Sequence, residues 1–196
     1  MLLKFIISTM RNILIALLSA ISLIGCMQKK YVDNRPAEQA RFVSIVREWR
    51  DTVNAAAKDD GQRQQLLENG VNAVKGHIQD NLQLLFKSWE VRVLNVSPDP
   101  TESEYIIASF GMNLDAGNMT EKTRYQSVVF TSRTMQSAPA YASIKTLEIG
   151  DIIHIDGNFK TLQKNINIDS YNNLSKSKNV LDNPDFLVEI AKVQKL

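Results

Sequence analysis

One thiol and two imidazoles, Cys26, His77 and His154, are the whole stock of soft metal ligands and neutral-pH nucleophiles in these 196 residues. Zinc and copper sites of the usual kinds draw three or four ligands from such groups, so neither a metal nor a cofactor is expected. Asp151, His154 and a serine could form a nucleophile–base–acid relay, but no Gly-x-Ser-x-Gly turn accompanies them. His154 alternates with Ile153 and Ile155 as a strand residue does, and His77 falls on a helical stretch. Gly111, Gly117, Gly150 and Gly157 stand singly, so there is no glycine-rich phosphate loop. No catalytic residues are assigned and the protein is read as a non-enzyme. There remains Cys26, which has no cysteine partner and directly succeeds Leu23-Ile24-Gly25.

The residues before Cys26 explain a lone thiol. Ile13 to Ile24 carries no charge and is rich in Leu, Ile and Ala, yet is shorter than the roughly 20 apolar residues a spanning helix requires. Read from Met10 rather than Met1, Met10-Arg11-Asn12 forms a short basic start and Ile13 to Ile21 an apolar stretch, the pattern of an export signal. Leu23-Ile24-Gly25-Cys26 resembles the lipobox of bacterial lipoprotein precursors. The resemblance implies that residues 1–25 are a signal peptide, that the Cys26 sulfur is joined to diacylglycerol, and that the chain is cut just before it. Gly25 would let the peptidase approach the backbone and Leu23 would fill an apolar subsite. The competing reading is an uncleaved anchor extended back to Phe5, which Arg11 interrupts.

The resemblance also implies a location. The protein belongs in the bacterial cell envelope, held to a membrane through lipidated Cys26, because each buried acyl methylene contributes about 0.8 kcal/mol and two or more chains anchor a protein durably. In a Gram-negative host, Met27 in place of Asp directs it to the periplasmic face of the outer membrane. Lys4 and Arg11 are the only charges before Cys26, so their removal takes the formal net charge from +2 to zero. Nucleic acid is therefore not an expected partner; another envelope protein is.

Residues 26–35, polar and aperiodic, read as a tether. Asn34 can cap and Pro36 can open a helical segment over 36–87. Phe42, Ile45, Val46, Trp49 and Val53 form one apolar stripe, and Leu67, Val71, Val74, Ile78, Leu82 and Leu85 a second beyond the turn at Lys58-Asp59-Asp60-Gly61. The two stripes could pack on each other as a hairpin or both lie on the β domain. From Trp89 the period becomes two: Trp89, Val91 and Val93 against Glu90 and Arg92, ended by Ser97-Pro98-Asp99-Pro100. Strands are expected from Glu104 to Leu114, Tyr125 to Met135, Ile152 to Gly157 and Phe186 to Val193, with a turn at Asp115-Ala116-Gly117-Asn118 and a short helix near Ser137 to Ala142.

Three meandering strands, a short helix, and Gly150-Asp151-Ile152-Ile153-His154-Ile155-Asp156-Gly157 turning into a fourth strand resemble an OB-fold barrel. The expected class is α+β, N-terminal helices followed by a small antiparallel OB-like β-barrel over 88–196; a twisted antiparallel sheet backed by the helices is the alternative. Barrels of this kind often bind oligonucleotide or glycan, with Tyr105, Arg124, Tyr125, Arg133 and Lys145 available for stacking and charge. Asp115, Glu121 and Glu148 offset that charge; Asp99, Glu102 and Glu104 with Asp115 make an acidic region that could attract a cation or a basic partner, with a solvated loop the favoured reading. The favoured role is non-catalytic protein contact in the envelope; the alternatives are an OB-type ligand-binding module or a hydrolase with an unrecognised site.

Overall fold

The structure is a computed structural model that describes residues 35–56, 60–114, 127–170 and 179–196. Cys26 and its lipobox, Asn34, the Lys58-Asp59 and Asp115–Asn118 turns, Arg124 and Tyr125 lie outside the described residues.

Helix α1 (Ala37–Ala55) follows Pro36, whose φ of −51° suits the first turn. Helix α2 (Asp60–Gly76) runs into a π turn, His77–Asn81, in which Leu82 N–H reaches the His77 carbonyl at 3.1 Å. Gln83 and Leu84 then take positive φ of 50° and 65° and swing the chain into strand β1 (Leu85–Pro98). Leu82 is buried as the stripe requires. Leu85 is not on that stripe: it opens β1 opposite Asn158 and is exposed. The helical run ends at Asn81, and the left-handed Gln83 and Leu84 turn the chain before Leu85, which therefore belongs to a strand and not to the helix face.

Strands β2 (Tyr105–Asn113) and β3 (Ser127–Met135) continue antiparallel from β1. Helix α3 (Tyr141–Lys145) leads to β4 (Ile152–Phe159). A hairpin of β5 (Thr161–Leu162) and β6 (Asn165–Ile166), then β7 (Ile168–Ser170) and a 3-10 turn (Val180–Asp182), precede β8 (Pro184–Lys195). The five long strands close in the order β3-β2-β1-β4-β8, and β8 returns to β3. This is an OB-like barrel behind N-terminal helices, an α+β fold. It is not wholly antiparallel: Val129 to Ser132 pair with Asp185 to Val188 in the same direction. The crossover through α3 and β4 delivers β8 to the free edge of β3 running parallel, and closure leaves neither β3 nor β8 a long bare edge.

Two irregularities shape β1. Register slips between Phe86 and Trp89, where Ser88 takes φ 52° and donates its N–H to Asp156 Oδ1 at 2.6 Å, so Phe86 and Trp89 both face inward despite their odd spacing. A second slip lies between Val93 and Asn95. At the start of β4, Gly150 has φ +100°, and Gly150 N–H and Asp151 C=O bond the backbone of Val93. The Gly-Asp turn thus begins the β1–β4 ladder, and only glycine takes that conformation without strain.

The helices and barrel share one core. Phe42 of α1 lies at the barrel end formed by the starts of β1, β3 and β8 and the ends of β2 and β4, with ring centroids 5.2 Å from Trp89, 5.6 Å from Phe186 and 5.9 Å from Phe159. Phe86 and Phe130 complete this aromatic cluster. At the opposite end Ile144 and Leu147 are buried against the same core. Fully burying a side chain of this size contributes about 1.5–3 kcal/mol, which lets the chain dispense with a disulfide.

Candidate functional site

The β1–β2 turn and the neighbouring end of β3 gather the charged residues that the sequence singles out. Asp99 is buried and accepts from Thr101 N–H at 2.8 Å, Thr101 Oγ1 at 2.6 Å and Glu102 N–H at 3.2 Å, while Arg133 Nε ion-pairs with its other oxygen. These bonds hold the Asp99 carboxyl well below the usual carboxylate range, the Thr101 hydroxyl foremost and Arg133 next. Arg133 also reaches Glu102 at 2.8 Å and lies 3.8 Å over the Tyr105 ring. Tyr105 and Arg133, which could serve a ligand face, instead cover each other in an acid-bound lock. Of the acidic residues, Asp99 and Glu102 are tied to Arg133, Glu104 stays exposed, and Asp115 lies outside the described residues. Lys145 stands 5.9 Å over Tyr141, away from the lock.

The relay suggested by Asp151 and His154 is not assembled. The Asp151 carboxylate accepts Glu148 N–H at 3.0 Å and pairs with Lys195 Nζ at 3.2 Å, both of which keep it ionised. His154 lies on β4 between Glu90 of β1 and Gln194 of β8. His77 contacts Asn81 Oδ1 at 3.2 Å and leaves Nε2 buried without a partner among the described residues; burial is the main cause that pushes its pKa down. Among the described residues no group of three His, Cys, Asp or Glu could hold a metal ion, and no helix is long and apolar enough to cross a membrane.

One acid stands out that the sequence did not mark. Asp185 opens β8 beside Thr131, whose Oγ1 donates to Oδ2 at 2.9 Å, and opposite Asp169 of β7. Oδ1 is buried without a partner among the described residues. Burial first, and the Asp169 charge as well, push its pKa up to about 6. Asn-Pro-Asp at 183–185 reads as loop chemistry, and only the tertiary pairing puts this acid between two strands. A cleft of about 370 Å³ runs along α2 and the 3-10 turn, lined by Gln64, Leu67, Glu68, Val71, Asn72 and Val180. It carries one acid and no second reacting group.

Comparison with protein-family models, with curated proteins and with solved structures gives no match. Functional assignment therefore rests on chemistry and geometry alone. The aromatic side chains bear on it most directly: Phe42, Phe86, Trp89, Phe110, Phe130, Phe159 and Phe186 all stand in the core and offer no face to a base or a sugar, while Trp49, Tyr105 and Tyr141 are half-buried.

Proposed function

We propose that this protein is a bacterial envelope lipoprotein, held to a membrane by acylated Cys26, whose OB-like domain serves as a non-catalytic accessory that contacts another envelope protein. Leu23-Ile24-Gly25-Cys26 at the end of an uncharged apolar stretch carries the reading. The burial of every phenylalanine among the described residues and of Trp89 supports contact through outer faces over capture of a base or sugar, since single-strand binding draws much of its energy from stacking on exposed rings, and the half-buried Tyr105 and Tyr141 already lie under Arg133 and Lys145. The locked state of Arg133 points the same way.

Labelled palmitate supplied to cells is expected to enter the wild type and not Cys26→Ser, and only the wild type should be processed before residue 26. A Cys26→Ser protein that resists alkaline extraction from membranes, beside a wild type that takes up no label, would overturn the anchor. Crosslinking in intact cells should recover one partner protein in a stable complex; recovery of the monomer alone would remove the contact role.

A further inference from the structure

The barrel end capped by α1 carries an apolar and basic rim with no role in the core. Leu85, 51% exposed, opens β1 opposite Asn158, and the next residue of β4, Phe159, donates its N–H to the Leu84 carbonyl at 2.8 Å. The β5–β6 hairpin projects directly after that bond and presents Leu162, 58% exposed. Its two-residue turn, Gln163 and Lys164 at φ 51° and 70°, has both positions left-handed with neither glycine nor asparagine, a conformation that costs energy. Ile166 is its one buried side chain. The hairpin is thus pinned by Ile166 while Leu162 and Lys164 stay in water.

Within the two segments that form this rim the charge has one sign. Leu82 to Ser88 and Lys160 to Ile166 contain Lys87, Lys160 and Lys164, all exposed, and no acid. Carboxylates flank these segments: Asp80 is exposed just before the first, Asp156 accepts Ser88 N–H, and Glu189 pairs with Lys160 at 3.9 Å. Exposed leucines beside lysines on a rigid turn suit the boundary between headgroups and acyl chains, where apolar insertion and attraction to anionic lipid add.

We propose that this rim, with Leu85 and Leu162 inserted and Lys87, Lys160 and Lys164 on the headgroups, rests on an anionic lipid bilayer. The proposal rests on the anchor at Cys26. Arg35 stands nine positions after Cys26, and its Nη1 donates to the Asn113 carbonyl at the end of β2, at the same barrel end. An extended chain of that length covers about 30 Å at most, so a bilayer holding Cys26 stays within reach. Tethering raises the local concentration of the surface, and a weak contact then suffices to orient the domain.

The test uses the full protein purified from membranes and reconstituted into vesicles of brominated phosphatidylcholine, with or without brominated phosphatidylglycerol. Leu162→Trp should be quenched strongly with phosphatidylglycerol and several-fold less without it, and both added salt and Lys160→Glu/Lys164→Glu should reverse the gain. Ile149→Trp, at the opposite end, should match the wild-type background. Equal quenching of the two variants, or none for Leu162→Trp in anionic vesicles, overturns the rim contact. Flotation of the unsubstituted protein separates the two failures: a protein that floats while Leu162→Trp is unquenched disproves the rim alone, and one that floats with neither vesicle disproves the anchor and the rim together.

Discussion

Gln39 pairs with the backbone of Glu90 as a neighbouring strand would: its Nε2 donates to the Glu90 carbonyl at 2.6 Å and its Oε1 accepts the Glu90 N–H at 2.9 Å. β1 pairs with β2 only from Arg92 onward, so at Glu90 the β2 side of the ladder is vacant and a fully buried helical side chain fills it. The same amide nitrogen lies 2.7 Å from Met112 Sδ of β2. One residue thus joins α1 to both strands where they part.

Gln39→Leu keeps the size of the side chain but strands one donor and one acceptor of the β1 backbone. A loss of about 2–4 kcal/mol is expected, read by urea unfolding, with Glu38→Ala as a near-neutral control on the exposed side of α1. An equal small effect for both variants would show that water replaces the amide.

Phe42 is fully buried and touches rings from β1, β3, β4 and β8. Phe42→Ala should cost about 3–5 kcal/mol. Because α1 and the barrel share this core, the transition should stay cooperative and shift as a whole in both far-UV circular dichroism and Trp fluorescence. Separate transitions for helix and sheet would disprove the shared core.

Gly157 sits at the slip in the β4–β8 register, where an added Cβ would strike the Glu189 carbonyl oxygen and lie 2.7 Å from Phe86 Cζ. Gly157→Ala is expected to cost about 1–3 kcal/mol or more. Gly76→Ala, with only Asp80 near the new methyl, at 3.9 Å, should stabilise the helix end by up to about 1 kcal/mol. Thermal denaturation of the pair tests the contrast, and a tolerated Gly157→Ala would contradict the close strand approach.

The raised pKa of Asp185 has a definite sign. A carboxyl at about 6 in the folded chain and 3.8 when free contributes stability below about pH 4, and that contribution fades as pH rises through 6. Asp185→Asn should therefore unfold at higher denaturant than the wild type at pH 7 and nearly match it at pH 4, a difference on the order of 2 kcal/mol. Asp99 acts oppositely: its depressed pKa adds stability above the normal carboxylate range that is lost in strong acid. Parallel pH profiles for wild type and Asp185→Asn would refute the assignment.

The sequence alone determined the strand pattern and the turn into β4. Trp89, Val91 and Val93 alternate, Gly150-Asp151 turns into β4, and the α1 stripe of Phe42, Val46 and Val53 is buried, because periods of two and 3.6 arise directly from local backbone geometry. Tertiary structure alone decided the rest. The helix end at Asn81 with the left-handed Gln83 and Leu84 put Leu85 on a strand, and the slip after Phe86 turned both Phe86 and Trp89 inward, since an inserted residue breaks the period of two. The Gln39–Glu90 bridge and the Thr131–Asp185 bond join residues 51 and 54 positions apart, and the parallel β3–β8 pair depends on strand order; no local preference encodes such meetings. Arg133 shows the difference most plainly: as a residue type it suits a ligand, but packing brings Asp99 and Tyr105 to it first.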